Sequence, residues 1–149
     1  MYTSDIESRR LSRRLYIKTA ITYCAVSILC IVITNVYALF GHGARSGCMD
    51  FMFLYPLLGG SLVFMAAAML TPVLHGRMSA GSRMGYNLYN SGIASLTAAA
   101  MLKGIMEIAG TDSMWIQYIK ILGIGLLVFA VACMIVVSLK RKRDREELQ

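Results

Sequence analysis

The stretch that most constrains the fold is residues 87–110, which read NLYNSGIASLTAAAMLKGIMEIAG. It is long enough to cross a bilayer, because a spanning helix needs about 20 residues at 1.5 Å per residue. It also carries amides, hydroxyls and two charged side chains, Lys103 and Glu107. Charged side chains at membrane depth are costly and normally face protein or water. We therefore expect this stretch to form a transmembrane helix around which the other helices pack.

Three further apolar stretches accompany it, at residues 16–40, 51–74 and 115–139. Of the 149 residues, 57% are hydrophobic and only 15% are charged, whereas soluble domains carry about 25% charged residues. The sequence therefore predicts an all-α integral membrane protein with four transmembrane helices in a bundle. In the second stretch, Gly59 and Gly60 predict a surface for close helix approach.

Both ends of the chain are polar. In residues 1–15, Ser4 and Glu7 match the S-x-x-E capping box that starts many helices. Arginines follow on successive turns: Arg9, Arg10, Arg13 and Arg14. We expect a short basic amphipathic helix at the inner membrane face. The apolar stretch behind it is longer than a signal-peptide core, so it is predicted to be an uncleaved first span. Residues 140–149 are predicted to form a charged cytoplasmic tail.

The distribution of Lys and Arg predicts the orientation. Five of these residues lie at the N-terminal end, two in the loop at 75–86 and five in the tail, whereas the opposite loops hold only Arg45. Because cytoplasmic segments carry the excess of Lys and Arg, both termini are predicted to be cytoplasmic in the cell membrane. The net charge of +7 then indicates contact with anionic lipids on the cytoplasmic side, and no nucleic-acid partner is expected.

Lys103 and Glu107 are spaced i, i+4, which places them on one face of the helix. Their order is the less favourable one, and Glu107 lies near the helix C-terminus, where the dipole disfavours an anion. A partner outside the helix is therefore expected. Lys120 is the candidate, because it and Glu107 lie equally far from the predicted hairpin centre. These three residues form a predicted intramembrane ion cluster, which is either structural or a coupling site for protons or cations.

A second face of the same helix carries polar side chains near its cytoplasmic end. The set is Asn87, Asn90, Ser91 and Ser95. It is a candidate polar pocket, and the alternative is that these groups form hydrogen bonds that hold helices together. In both cases Asn87 and Asn90 are expected to be buried against protein, because an amide facing hydrocarbon is costly.

The remaining reactive side chains suggest no catalytic site. In the loop at 75–86, Arg77 and Arg83 are candidate contacts for a phosphate or a lipid headgroup. The cysteines are Cys24, Cys30, Cys48 and Cys133, and the histidines are His42 and His75. They form no CxxC pair and no ligand cluster, and no catalytic motif occurs, so neither a metal nor a cofactor is predicted.

These features favour a non-enzymatic subunit or interaction partner of a membrane complex. The partner is another membrane protein or a second copy in a homo-oligomer. The alternative is a small oligomeric transporter or channel that uses Lys103 and Glu107. A membrane enzyme is the least favoured interpretation.

The orientation can be tested at Cys48, which is predicted to face the outside. With the other three cysteines replaced, a membrane-impermeant thiol reagent should label Cys48 in intact cells. Labelling of detergent-solubilised protein serves as the control for accessibility. Labelling that requires lysis of the membrane would mean that the orientation is inverted.

Overall fold

The computed structural model describes residues 2–41, 43, 45–70 and 80–146, and its regular elements are all helical. They are α1 (Tyr2–Phe40), α2 (Gly47–Asp50), a π-helix (Tyr55–Leu62), α3 (Val63–Leu70), α4 (Ala80–Ile108) and α5 (Met114–Glu146). Four stretches are long and apolar enough to cross a membrane: Arg10–Phe40, Gly47–Met69, Arg83–Ile108 and Met114–Lys140. The prediction of an all-helical chain with four such helices is confirmed.

Helix α1 is continuous, so no break separates the predicted basic helix at 1–15 from the first span. The sequence between residues 2 and 40 holds no Gly or Pro that would interrupt it. The helix ends at Phe40, and Gly43 beyond it adopts a positive φ of 82°. Likewise α5 runs on to Glu146, so the charged tail continues the last helix as far as the structure describes it.

The second span, Gly47–Met69, is irregular, because it is assembled from α2, a turn, the π-helix and α3. Pro56 has no N–H, so it cannot donate to the Met52 carbonyl as position 56 of an α-helix would. That carbonyl accepts instead from the Tyr55 N–H at 3.3 Å. From Tyr55 the chain follows the wider π-helical pattern to Leu62, and such turns are frequent at functional sites.

The two adjacent glycines of the π-helix face different neighbours. A Cβ built on Gly60 would enter the ring of Tyr23 in α1, and one built on Gly59 would meet Ile93 in α4. The close helix approach predicted at these glycines is confirmed. Tyr89 of α4 also donates its hydroxyl to the Gly59 carbonyl at 2.6 Å, which satisfies a carbonyl of the π-helix from outside the span.

Helices α4 and α5 pack along a seam of small residues. A Cβ built on Gly92 would lie 2.8 Å from Leu127 Cγ and 3.0 Å from the Gly123 carbonyl oxygen, and one built on Gly85 would lie 3.4 Å from the Ala130 oxygen. Both contacts belong to one helix register. Going back seven residues on α4, from Gly92 to Gly85, corresponds to going forward seven residues on α5, from Gly123 to Ala130. The helices are therefore antiparallel and nearly in backbone contact.

The loop end of the molecule is defined here as the end that carries residues 41–46 and 109–113. There α1, α2 and α4 share a buried core made of Cys30, Met49, Met52 and Ala100. Thr34 of α1 donates to the Met49 carbonyl at 3.1 Å, and a Cβ on Gly104 would lie 2.5 Å from Met49 Cβ. The opposite end, where α1 begins and α5 ends, is called the terminal end.

Because of the seam between α4 and α5, replacing a glycine by leucine should change the free energy of unfolding differently at Gly92 and at Gly125. Gly92→Leu should lower the free energy of unfolding by about 1–3 kcal/mol, because the larger side chain overfills the contact with α5. Gly125→Leu is the matched control, since nothing lies within 4 Å of its Cβ position. It should be neutral or slightly stabilising, as leucine favours a helix more than glycine does. Thermal unfolding in detergent measures both, and equal losses would mean that the seam does not exist.

Candidate functional site

The loop-end cluster consists of Ser46, Cys48, Lys103 and Glu107. The Ser46 hydroxyl donates to Glu107 Oε2, and Cys48 Sγ donates to Glu107 Oε1 at 3.5 Å. Lys103 Nζ lies 3.7 Å from the same Oε1, and the two charged side chains are 39% and 40% exposed. One carboxylate thus gathers a hydroxyl, a thiol and an ammonium from two separate parts of the chain.

The local geometry explains why Ser46 reaches Glu107. Ser46 is the N-cap residue of α2, yet its side chain makes no capping hydrogen bond. Its side chain is buried and turned toward α4, where Gly104 lets α2 come close. Glu107 lies in the last turn of α4, and Gly110, just beyond the end of the helix, adopts a positive φ of 68°. The Thr111 N–H then bonds to the Met106 carbonyl at 3.0 Å, a pattern that closes a helix end.

Lys120 lies away from this cluster. Because Gly92 is opposite Gly123, the same register places Lys120 level with Ser95, about 18 Å along the axis of α4 from Glu107. The sequence predicts a hairpin centred on the middle of the loop, whereas the small-residue seam shifts α5 relative to α4. Glu107 forms an ion pair with Lys103, and Arg45 forms one with Asp50. The partners that Glu107 needed are Ser46 and Cys48.

A second polar site, the tyrosine cluster, joins α1, α3 and α4 nearer the terminal end. Four tyrosine rings surround the buried ring of Phe64, with centroid distances between 5.3 and 6.2 Å: Tyr16, Tyr23, Tyr86 and Tyr89. Tyr23 donates its hydroxyl to Asn90 Oδ1 at 2.8 Å, and the Tyr86 hydroxyl lies 2.6 Å from Thr19 Oγ1. These side chains bridge α1 and α4, whose backbones do not come into close contact.

The tyrosine cluster was absent from the sequence interpretation, although a signal for it exists. Tyr16 and Tyr23 are seven residues apart and Tyr86 and Tyr89 are three apart, so each pair lies on one helix face. What the spacing does not give is the third element. Phe64 lies beyond the π-helix, where the usual helical periodicity is interrupted.

The predicted polar pocket is divided between two environments. Asn90 is partly buried and accepts the hydrogen bond from Tyr23. Asn87 and Ser91 are exposed and Ser95 is partly exposed, so the expectation that both amides are buried is wrong for Asn87 within a single copy. No hydrogen bond from these three side chains is found within the described part of the chain. The four residues therefore do not line one pocket within a single copy.

Of the two candidate phosphate contacts, Arg77 and Arg83, the structure describes only Arg83. Arg83 is exposed near the start of α4, and Arg77 lies outside the described residues. Across the described ranges, no group of three or more His, Cys, Asp and Glu side chains could hold a metal ion.

The comparisons with known proteins add no relative. No family model, curated protein or solved structure matches this chain. The function therefore has to be argued from the geometry alone.

The loop-end cluster can fix a carboxylate and thereby fasten α2 to the end of α4. The Ser46 hydroxyl donates to Glu107 Oε2, whereas the Cys48 thiol and the Lys103 ammonium both lie against Oε1. The cluster lies in the last turn of the span and at the loop end. We call these contacts between α2 and the end of α4 the clasp.

The clasp can be tested with a double-mutant cycle. Ser46→Ala and Glu107→Gln should each lower the Tm in detergent, because the first removes the donor of one hydrogen bond and the second removes the charge that strengthens it. The double variant should melt close to the worse single variant, since the interaction can be lost only once.

Lys120→Met combined with Glu107→Gln is the control for this cycle. Its two effects should simply add, because the two side chains do not meet. Additive effects for the first pair, or strong coupling for the second, would contradict the arrangement around Glu107.

Proposed function

We propose that this protein is a non-enzymatic, multi-pass membrane component that assembles with a second copy of itself through one face of α4. The observation that carries the proposal is an exposed stripe of polar and small residues on that helix. Its members are Asn87, Ser91, Ala94 and Ala98, all of them exposed. Spacings of four, three and four residues place them on one face.

The chemistry of this stripe is unsuited to lipid. An amide that faces hydrocarbon without a hydrogen-bond partner is costly. Small side chains such as Ala94 and Ala98 gain little from lipid but let a second helix approach closely. The seam with α5 lies on another face of α4, so the helices of the same copy leave this stripe uncovered.

A second copy of the chain fits the stripe because the stripe is self-complementary. Two copies with the same membrane orientation are related by a two-fold axis along the membrane normal, which brings identical residues together at equal depth. Asn87 is both a donor and an acceptor, so two such amides can pair with each other. Ala94 and Ala98 then meet their own counterparts, where the helices need to be closest.

The position of the charged pair supports this proposal over transport. Glu107 is held by Ser46, Cys48 and Lys103 in the last turn of α4, at the loop end. In the proposed orientation both termini are cytoplasmic in the cell membrane. Arg83 then lies at the cytoplasmic surface, where it meets anionic lipid headgroups.

Disulfide crosslinking in the membrane tests the interface. In a variant with the four native cysteines replaced, Ala94→Cys should form a covalent dimer when an oxidant is added. Ile121→Cys is the matched control, because it is exposed on α5 and lies level with Ala94 in the helix register. A dimer from Ile121→Cys as strong as that from Ala94→Cys would show only random collision.

The polar contribution can be measured in the same system. Asn87→Leu added to Ala94→Cys should weaken dimerisation by about threefold to thirtyfold, the value of one interhelical hydrogen bond. Absence of any crosslink from Ala94→Cys and from Ala98→Cys would overturn the second copy as the occupant of the stripe.

A further inference from the structure

A cavity of about 630 Å³ lies between the second span, α4 and α5. Its walls are mostly apolar, and they include Leu58, Leu96 and Leu127. The α4 residues that line it lie on the side of the helix opposite the proposed dimer stripe, so the cavity and the stripe are separate features. Its volume falls within the range of about 300–1,000 Å³ that is usual for small-molecule sites.

Lys120 is the single charged side chain that lines this cavity. It is partly buried, and within the described ranges its ammonium makes neither an ion pair nor a hydrogen bond. An ammonium next to hydrocarbon is costly unless an anion accompanies it. Glu107, the partner predicted from the sequence, is committed to the loop-end cluster. Asp112, the acid nearest to Lys120 in the sequence, accepts a hydrogen bond from the Ser113 N–H at 2.8 Å.

The direction of the Lys120 side chain indicates at which end of the cavity an anion would bind. Lys120 lies six residues after Met114, the first residue of α5, and so about 9 Å from the loop end of that helix. Helical side chains lean toward the N-terminus of their own helix, which for α5 means toward the loop end. The same end of the cavity is lined by Gly47 and Cys48, and the other end by Gly59 and Tyr89.

We infer that this cavity binds a single-chain anionic amphiphile, with the acid group on the Lys120 ammonium and the chain along α4 toward Tyr89. The α4 wall extends over about 16 Å, from Ala100 to Tyr89. A wall of this length accommodates most of one extended acyl chain. An anionic head supplies the charge complementarity that the free ammonium requires.

The ion pair with Lys120 determines the selectivity of this site. An acyl chain gains little when it leaves lipid for an apolar cavity, since both surroundings are equally apolar. A neutral chain of the same length therefore has no reason to prefer the cavity over the bilayer. A hydrogen bond between two charged groups in a site of low dielectric constant gives the anionic ligand its advantage.

Equilibrium binding of radiolabelled palmitate to the purified full chain in a nonionic detergent tests the inference. Saturable binding of one palmitate per chain is expected, with no competition from hexadecanol, which has the same chain and no charge. Lys120→Gln should weaken binding about tenfold or more, and Lys120→Arg should restore it. Leu58→Trp should also weaken it, because Leu58 is an exposed lining residue whose enlargement fills the cavity.

Matched controls separate a lost site from a lost fold. Lys140→Gln removes a lysine from the same helix outside the cavity and should bind palmitate like the parent protein. The Tm of each variant is measured in parallel. Weaker palmitate binding by a variant of a lining residue is assigned to the site when the variant has the same Tm as the parent protein. Unchanged binding by Lys120→Gln, or equal competition by hexadecanol, overturns the inference. Displacement by phosphatidylglycerol at equal or lower concentration would overturn the single-chain assignment, because that lipid carries two chains.

Discussion

Polar groups within a hydrocarbon layer have to be satisfied by other protein groups, and the helix contacts of this chain follow from that constraint. The irregular second span is the clearest case, because Pro56 and the π-helix leave the backbone without a regular hydrogen-bond ladder. Tyr89 donates to the Gly59 carbonyl, and Thr34 donates to the Met49 carbonyl. Each of these bonds comes from a neighbouring helix, so satisfying the backbone also fixes where that neighbour lies.

The seam between α4 and α5 fixes the position of these two helices relative to each other. Since Gly92 and Gly123 have no side chains, the two helices come close at these residues, and this contact sets their register. That register determines the depth of every residue on α5, including Lys120. Helix α4 therefore uses separate faces for different neighbours: one for α5, one for the second span and one that its own chain leaves exposed.

Much of the architecture could be predicted from the sequence, because membrane-spanning length and hydropathy depend on the side chains of each stretch alone. The same is true of Gly59 and Gly60, whose lack of side chains follows from the residue type. The partners of Glu107 could not be predicted, since Ser46 is 61 residues away and reaches it only through the placement of α2, a helix of four residues. Lys120 was misplaced relative to Glu107 because the number of residues in a loop does not determine the register of the hairpin.

The contacts divide the chain into two helical hairpins, which form one after the other during synthesis. Helix α1 packs with the π-helix and α3, and among the described elements α5 approaches closely only α4. Each hairpin therefore forms from contacts close in sequence, which makes its formation fast. The tyrosine cluster and the loop-end cluster both need residues from the two hairpins. As the chain leaves the ribosome, the first hairpin can enter the membrane complete, with its tyrosines and Ser46 unpaired until α4 arrives.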